Sequence, residues 1–398
     1  MTRVSRSLPL AVILLGGVSF LNDFASEMVV PLIPVLLATV LAAGPVALGL
    51  VEGVADALAS FLRLWSGSYS DFLGGRRKVF AVSGYLVSNV VRPLIGMAGS
   101  WPVLLLLRSV DRVGKGIRSA PRDALLADSV PPGQTGFAFG YHRAMDNGGA
   151  VMGALAAAAL LHYLRFPLQD AIFASALPGF LAVVLLGVGV RDTARESPAR
   201  PARVGQALDP RRLSPVMRRY LVTLGIFTLA RATETFILLR GYQLGMGPDR
   251  VLLLWAFIHL AKSSTGTLGG RLADRVGRRP VLLLGWLAYS GNYVLFALAG
   301  HLLALWAVSF SYGLFYGLGE GAERAQINDL ATAVEERGTA FGWYYVAVGT
   351  STIPAGVLFG GIWERWGAPA AFVFSAAVSL LSVLLLLSWV YRRVGDRA

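Results

Sequence analysis

The chain has 398 residues, of which 55% are hydrophobic and only 15% charged, with a mean hydropathy of +0.60. A soluble domain carries about 25% charged residues, so a water-soluble globule of this size is excluded. The net charge of +13 comes from 36 Lys+Arg against 23 Asp+Glu. A basic excess can serve nucleic-acid binding, but here the basic residues stand between long apolar runs, which points to membrane orientation and to no nucleic-acid partner. With no Cys, disulfides and thiol chemistry are excluded. The four histidines, His142, His162, His259 and His301, are too far apart for helical ligand spacing, so no metal site is expected. No P-loop or dinucleotide fingerprint is present, so neither a cofactor, ATP-driven transport nor enzymatic activity is expected.

A spanning helix needs about 20 mostly apolar residues. The pattern predicts twelve, at 9–40, 46–70, 79–99, 101–127, 137–164, 168–190, 220–245, 251–273, 280–300, 302–332, 339–362 and 368–391. The first begins like a signal peptide but runs past Pro34 to about Leu41, which predicts an uncleaved membrane helix. The connection near Ala42 has no charge, and neither does the one from Gly96 to Trp101. Arg76-Arg77-Lys78 follows helix 2, and Arg275, Arg278 and Arg279 follow helix 8. Residues 191–219 carry eight Arg and three acids, and Arg392, Arg393 and Arg397 close the chain. The positive-inside rule then places both termini in the cytoplasm. The expected division is a bundle at 1–190, a linker at 191–219 and a second bundle at 220–398.

Ionisable residues within spans are expensive and are functional candidates. In helix 1, Asp23 and Glu27 share a face. Helix 2 presents Glu52, Asp56, Ser60 and Arg63 on one face. Helix 4 carries a stripe of Arg108, Asp111, Arg112, Lys115, Arg118 and Arg122, whose last two members are expected to be interfacial and solvated. Helix 5 holds Arg143, Asp146 and Asn147 before Gly148-Gly149-x-x-x-Gly153, and Asp146 is expected to pair with Arg108, Arg112 or Arg143. Helix 7 has Arg231 and Glu234, which a salt bridge could join. Further on come Lys262, Glu320, Glu323 and Arg324. Helices 9, 11 and 12 are almost free of charge, so a proton relay is expected in the first half.

The chain also repeats itself. Gly67, Asp71 and Gly74, ahead of Arg76 and Arg77, match Gly270, Asp274 and Gly277, ahead of Arg278 and Arg279, at an offset of 203. Gly136-Phe-Ala-Phe-Gly140 matches Gly338-Thr-Ala-Phe-Gly342 at an offset of 202, and Arg122 matches Arg324 at the same offset. Ala25-Ser26-Glu27 and Ala232-Thr233-Glu234 make a weaker third echo, at 207. Such repeats occur in secondary transporters. The Gly-x-x-x-Asp-x-x-Gly-x-Arg loop after helix 2, echoed after helix 8, resembles the signature of the major facilitator superfamily. The resemblance covers essentially the whole chain. It implies an all-α membrane protein with twelve helices in two pseudo-symmetric six-helix bundles, and a role for Asp71 in locking the outward-facing state. Arg108 begins a stretch similar to the superfamily's helix-4 motif, although Arg112 stands where its first Gly would be.

The function expected is proton-coupled transport of a small molecule by alternating access, with efflux by proton antiport preferred. Glu27 and Glu234 are the leading proton or substrate carboxylates. Arg108, Asp111, Arg112 and Asp146 lead a coupling network that also takes in Lys115, Arg143 and Asn147. Asp23, Asp56, Arg63 and Arg231 complete the substrate and proton candidates. Uptake of a nutrient or organic anion is the alternative, and a non-transporting receptor or lipid-handling protein is the alternative of another class. The lipid bilayer, protons and a small-molecule substrate are the expected partners of a monomer in the cell membrane, in a bacterium the inner one.

Overall fold

A computed structural model describes residues 9–72, 77–131, 134–190, 209–331 and 334–391. Within these, the side chains at 67–72, 210, 267, 270, 271, 274, 318, 320, 321, 324 and 334–338 fall outside the description. Residues 191–208 of the linker expected at 191–219 and the C-terminal arginines lie outside it too. So do Gly74 and Arg76 of the first signature loop, the side chains of Asp71 and Asp274, and the surroundings of Gly67 and Gly270.

The described residues are helical almost throughout. The first group is α1 (Leu10–Glu27), α2 (Ile33–Thr39), α3 (Pro45–Phe72), α4 (Arg77–Leu94), α5 (Trp101–Asp128), α6 (Thr135–His162), α7 (Leu168–Phe173) and α8 (Ala176–Gly189). The second is α9 (Pro215–Ala230), α10 (Thr235–Gln243), α11 (Pro248–Val276), α12 (Arg278–Leu298), α13 (Leu302–Leu330), α14 (Val334–Trp366) and α15 (Ala368–Leu385). Among the described residues, nine helical stretches are long and apolar enough to cross a membrane by length and composition. The long helices α5, α11 and α13 are not among them, although α13 includes the shorter apolar stretch Leu302–Gly317.

Three of the expected helices are broken. The first bends through a 3-10 turn at Val30–Leu32, where Pro31 and Pro34 each lack the N–H that a continuous helix needs. The sixth is interrupted between Phe173 and Ala176. The seventh starts at Pro215, inside the segment expected to be linker, where the Ser214 hydroxyl accepts from the Met217 N–H, an N-cap bond. It then breaks at Arg231, whose ψ of 72° leaves the helical region, and resumes at Thr235. α11 passes into α12 through Gly277 at φ 89° and ψ 156°, a conformation open essentially to glycine alone. That explains one fixed letter of the second signature loop.

Small residues set the helix spacing, as they do where packing must be close. In the first group α4 and α5 cross at Gly84 and Gly114. A Cβ on Gly114 would lie 2.6 Å from the Gly84 carbonyl oxygen and from the Ser88 hydroxyl. In the second group α12 and α13 approach at Gly285 and Gly319. Arg77 pairs with Asp128, and Arg278 pairs with Asp329. In each case the arginine reaches the end of the fourth span expected in its own half. Replacing Gly114 with alanine is therefore expected to destabilise the chain by about 1–3 kcal/mol, the usual cost of overpacking. Thermal unfolding of purified protein measures this, and an unchanged midpoint would remove Gly114 from the account of the crossing.

The two groups meet most closely at one end. α3 lies against α14 with Gly49 on Gly356 and Pro45 on Gly360, backbone to backbone. The Val46 N–H donates to Glu364 Oε1 at 2.9 Å. Beside this seam His162 of α6 reaches Asp249 of α11 at 3.0 Å.

Candidate functional site

Between the groups lies a cavity of about 400 Å³, in the size range of small-ligand sites. The first group contributes Glu27, Glu52, Asp56, Arg63, Arg112 and Lys115 to its wall. Arg231, Glu234, Trp255, His259 and several tyrosines come from the second. Eight ionisable residues singled out from sequence thus converge on one space: Glu27, Glu52, Asp56, Arg63, Arg112, Lys115, Arg231 and Glu234.

Behind the first wall runs a buried chain of ion pairs. Arg108 is fully buried and grips Glu52 through two parallel bonds, Nε to Oε1 at 3.0 Å and a terminal nitrogen to Oε2 at 2.9 Å. Its other terminal nitrogen donates to Asp111 at 3.0 Å. The second oxygen of Asp111 accepts from Arg92 at 3.0 Å, and Arg92 also donates to Asn89 Oδ1 and the Asn22 carbonyl. Arg112 then stands 3.8 Å from Glu52 and 3.6 Å from Asp56. Both charge signs alternate from α4 through α5 to α3, so Glu52, Asp56 and Asp111 each face a cation. Arg92 was missed from sequence. Its signal was there, a lone arginine deep in the run expected as helix 3.

Two expected pairings and one expected exposure are corrected. Asp146 meets neither Arg108, Arg112 nor Arg143; it accepts from the Ser19 hydroxyl and lies 3.4 Å from His142 Nδ1. The cause is the glycine stripe. Cβ atoms on Gly149 and Gly153 would fall 2.2 and 2.1 Å from the carbonyl oxygens of Phe20 and Phe24, so α6 turns this face to α1 rather than α5. Arg231 does not pair with Glu234, because the helix that would align them is broken there. Glu234 binds Lys262 through both oxygens and accepts from Tyr312 at 2.7 Å. Arg231 reaches Glu323 at 3.1 Å. Arg118, expected to be solvated, is only 4% exposed. It donates to Ser88 at 2.6 Å and lies over the Tyr85 ring. Arg122 is largely buried and pairs with Asp123.

Of the remaining candidates, Asp23 accepts from Asn22 at 2.9 Å, while Asp23, Arg108, Asp111, Arg143, Asp146 and Asn147 lie outside the cavity wall. Arg143 and Arg279 are exposed. Glu27 joins the two groups across the cavity wall, accepting from Trp255 Nε1 of α11 at 2.7 Å, and Thr352 of α14 also donates to the Gly53 carbonyl of α3 at 3.3 Å. Trp255 and His259 were not expected in the site. The two rings pack at 4.7 Å, and His259 Nε2 is buried without a hydrogen-bond partner among the described residues.

Two helical groups with matching crossings, closed at one end around a charged cavity, define a secondary-transporter architecture. The Major Facilitator Superfamily model matches residues 15–261 and 235–398, and the chain belongs to that family. An uncharacterized MFS-type transporter of Methanocaldococcus jannaschii is 32% identical over 391 residues, covering 96% of this chain and 95% of its own. Multidrug resistance protein MdtG of Salmonella arizonae is 25% identical over 279 residues, 67% of each chain. A crystal structure of nucleoside transporter NupG superposes with a TM-score of 0.81 over 95% of this chain and 99% of its own, at 12% identity, which is a likeness of fold alone. The chain is accordingly a multi-pass membrane transporter rather than an enzyme.

Proposed function

We propose that the protein is a proton-coupled transporter that exports a small molecule by alternating access. Residues 1–190 and 220–398 act as two six-helix halves joined by 191–219, with α5, α11 and α13 completing twelve spans. The observation that carries this reading is the bond between Glu27 and Trp255, a titratable carboxylate tying one half to the other inside the cavity. A hydrogen bond to an ionised acceptor is roughly twice as strong as a neutral one. Protonating Glu27 therefore weakens the tie and frees the halves to part, and losing the proton restores it.

The basic residues Arg77, Lys78, Arg275, Arg278 and Arg279 stand at the end opposite the glycine seam, which supports a cytoplasmic assignment for that end. The seam then closes the outer face, and the state described is inward-facing. Export is supported by the likeness to a protein named for multidrug resistance. The cavity's two charge signs and its tyrosines suit an amphiphilic substrate. One chain encloses a whole cavity, consistent with a working monomer.

Liposomes holding the purified protein and an entrapped pH-sensitive dye test this. Addition of an exported compound to the outside should drive protons out of the lumen in exchange, and Glu27→Gln should lower that proton movement at least about tenfold, a loss of ~1.4 kcal/mol of coupling. Undiminished pH-driven flux in a folded Glu27→Gln protein would end the assignment.

A further inference from the structure

The chain has three lysines, Lys78, Lys115 and Lys262. Lys78 donates to the Gly187 carbonyl, and Lys262 holds both oxygens of Glu234. Among the described residues Lys115 Nζ makes no hydrogen bond and has no carboxylate within 4.0 Å. Asp23 is the carboxylate whose field acts on it most, from beyond that distance. Lys115 is half-buried in α5, and its Nζ, unlike the buried Nε of Arg112, is open to accessible space. The space that Lys115 lines is the central cavity.

The packing gathers further cations around it. Arg112 lies one turn earlier on the same face of α5. α3 crosses α5 at the next residue, where a Cβ on Gly116 would fall 2.5 Å from the Leu62 Cβ and Ser66 donates to the Gly116 carbonyl at 3.0 Å. That crossing sets Arg63 beside Lys115, and the charges of both arginines act on its ammonium. Glu52 is held by Arg108. Asp56 is therefore the carboxylate that α3 and α5 leave in the cavity wall against Arg63, Arg112 and Lys115. A half-buried cation outside any ion pair costs free energy, and like charges beside it add to that cost. An anion entering from the cavity would offset it.

We propose that Lys115, flanked by Arg63 and Arg112, forms a subsite for an anionic group on the transported compound, a carboxylate or a sulfonate. The ammonium offers three donors to the anion. The aromatic body of the compound lies against Trp255, Tyr316 and Tyr345, which the second half sets into the same cavity. A hydrogen bond to an ionised acceptor is roughly twice as strong as a neutral one, so the site takes the anion in preference to a neutral molecule of the same shape. The subsite rests on the export reading for the compound's being cargo, but its occupancy is measured without any gradient.

The test uses the full chain in phosphatidylcholine nanodiscs and two probes of nearly equal size, biphenyl-4-carboxylate and biphenyl-4-carboxamide. Reductive methylation with carbon-13-labelled formaldehyde marks the lysines and keeps their charge. With so few amines the spectrum is simple, and Lys115→Arg assigns the Lys115 signal by removing it. The carboxylate should move that signal saturably. By isothermal titration calorimetry on the unmethylated chain it should bind at least about tenfold more tightly than the carboxamide. Lys115→Met should bring the two probes within about threefold of each other, and Lys115→Arg should keep the preference. Equal binding of both probes by the unaltered chain, a Lys115 signal that is missing or does not move, or an unchanged preference in Lys115→Met would each overturn the subsite. If Lys115→Met does not fold, the Lys115 signal and the two probes on the unaltered chain still decide. Proton-coupled flux with no preference for the carboxylate would sink the subsite alone. A preference that depends on Lys115, without proton-coupled flux, would sink the coupling and leave the subsite standing.

Discussion

Replacing Arg108 with methionine is expected to destabilise the protein by about 3–5 kcal/mol, the usual cost of removing one partner from a buried charge network. Arg108 is completely buried and makes three charge-assisted bonds to two carboxylates. Without it, Glu52 keeps only Arg112 at 3.8 Å, a distance beyond hydrogen bonding, while Asp111 keeps Arg92. Glu52 is 2% exposed and is left as the uncompensated charge. Removing it as well should return part of the loss, so Glu52→Leu combined with Arg108→Met should be more stable than Arg108→Met alone. Thermal unfolding in detergent gives both comparisons. An Arg108→Met protein within about 1 kcal/mol of the parent would show that the network is not what holds α3, α4 and α5 together.

The second large effect is expected at the seam. A Cβ on Gly356 would lie 2.2 Å from the Gly49 carbonyl oxygen, and one on Gly49 only 2.0 Å from the Gly356 carbonyl oxygen. Both obstacles are backbone, so neither can swing aside as a side-chain tip can. Gly356→Leu should therefore hold the halves apart at this end. The chain has no cysteine, so His162→Cys and Asp249→Cys introduce a unique pair where the side chains now meet at 3.0 Å. A short bifunctional thiol reagent should join that pair readily in the parent. It should do so at least about tenfold more slowly with Gly356→Leu, the result of ~1.4 kcal/mol lost from the closed state. Unchanged cross-linking would mean that the seam is not a closure contact.

Much of this site could be read as letters. The apolar runs announced the helices, and Glu27, Asp56, Arg112, Lys115 and Glu234 stood out because charge inside such runs is rare. The same rule applied to Arg92 would have found it. The repeated loop pointed to paired halves, and the parallel pairs Arg77 with Asp128 and Arg278 with Asp329 extend that repeat into space. What could not be read was direction around each helix axis. Asp146 was assigned to α5 because both carry charge. The glycines beside it press α6 onto α1 instead and turn the carboxylate to Ser19. Arg231 and Glu234 have ideal helical spacing, and only the break between Ala230 and Thr235 separates them.

The sequence by itself determined that this chain is helical, membrane-spanning and internally repeated, with ionisable groups placed where lipid would not tolerate them. Those properties follow from composition and local spacing, which a one-dimensional pattern records. The tertiary structure alone decided which charge answers which: Arg92 and Arg108 on Asp111, Lys262 on Glu234, Trp255 on Glu27 across the halves. The physical reason is that a partner is chosen by helix rotation and by how closely glycines let backbones approach. Both are settled by packing between segments distant in the chain.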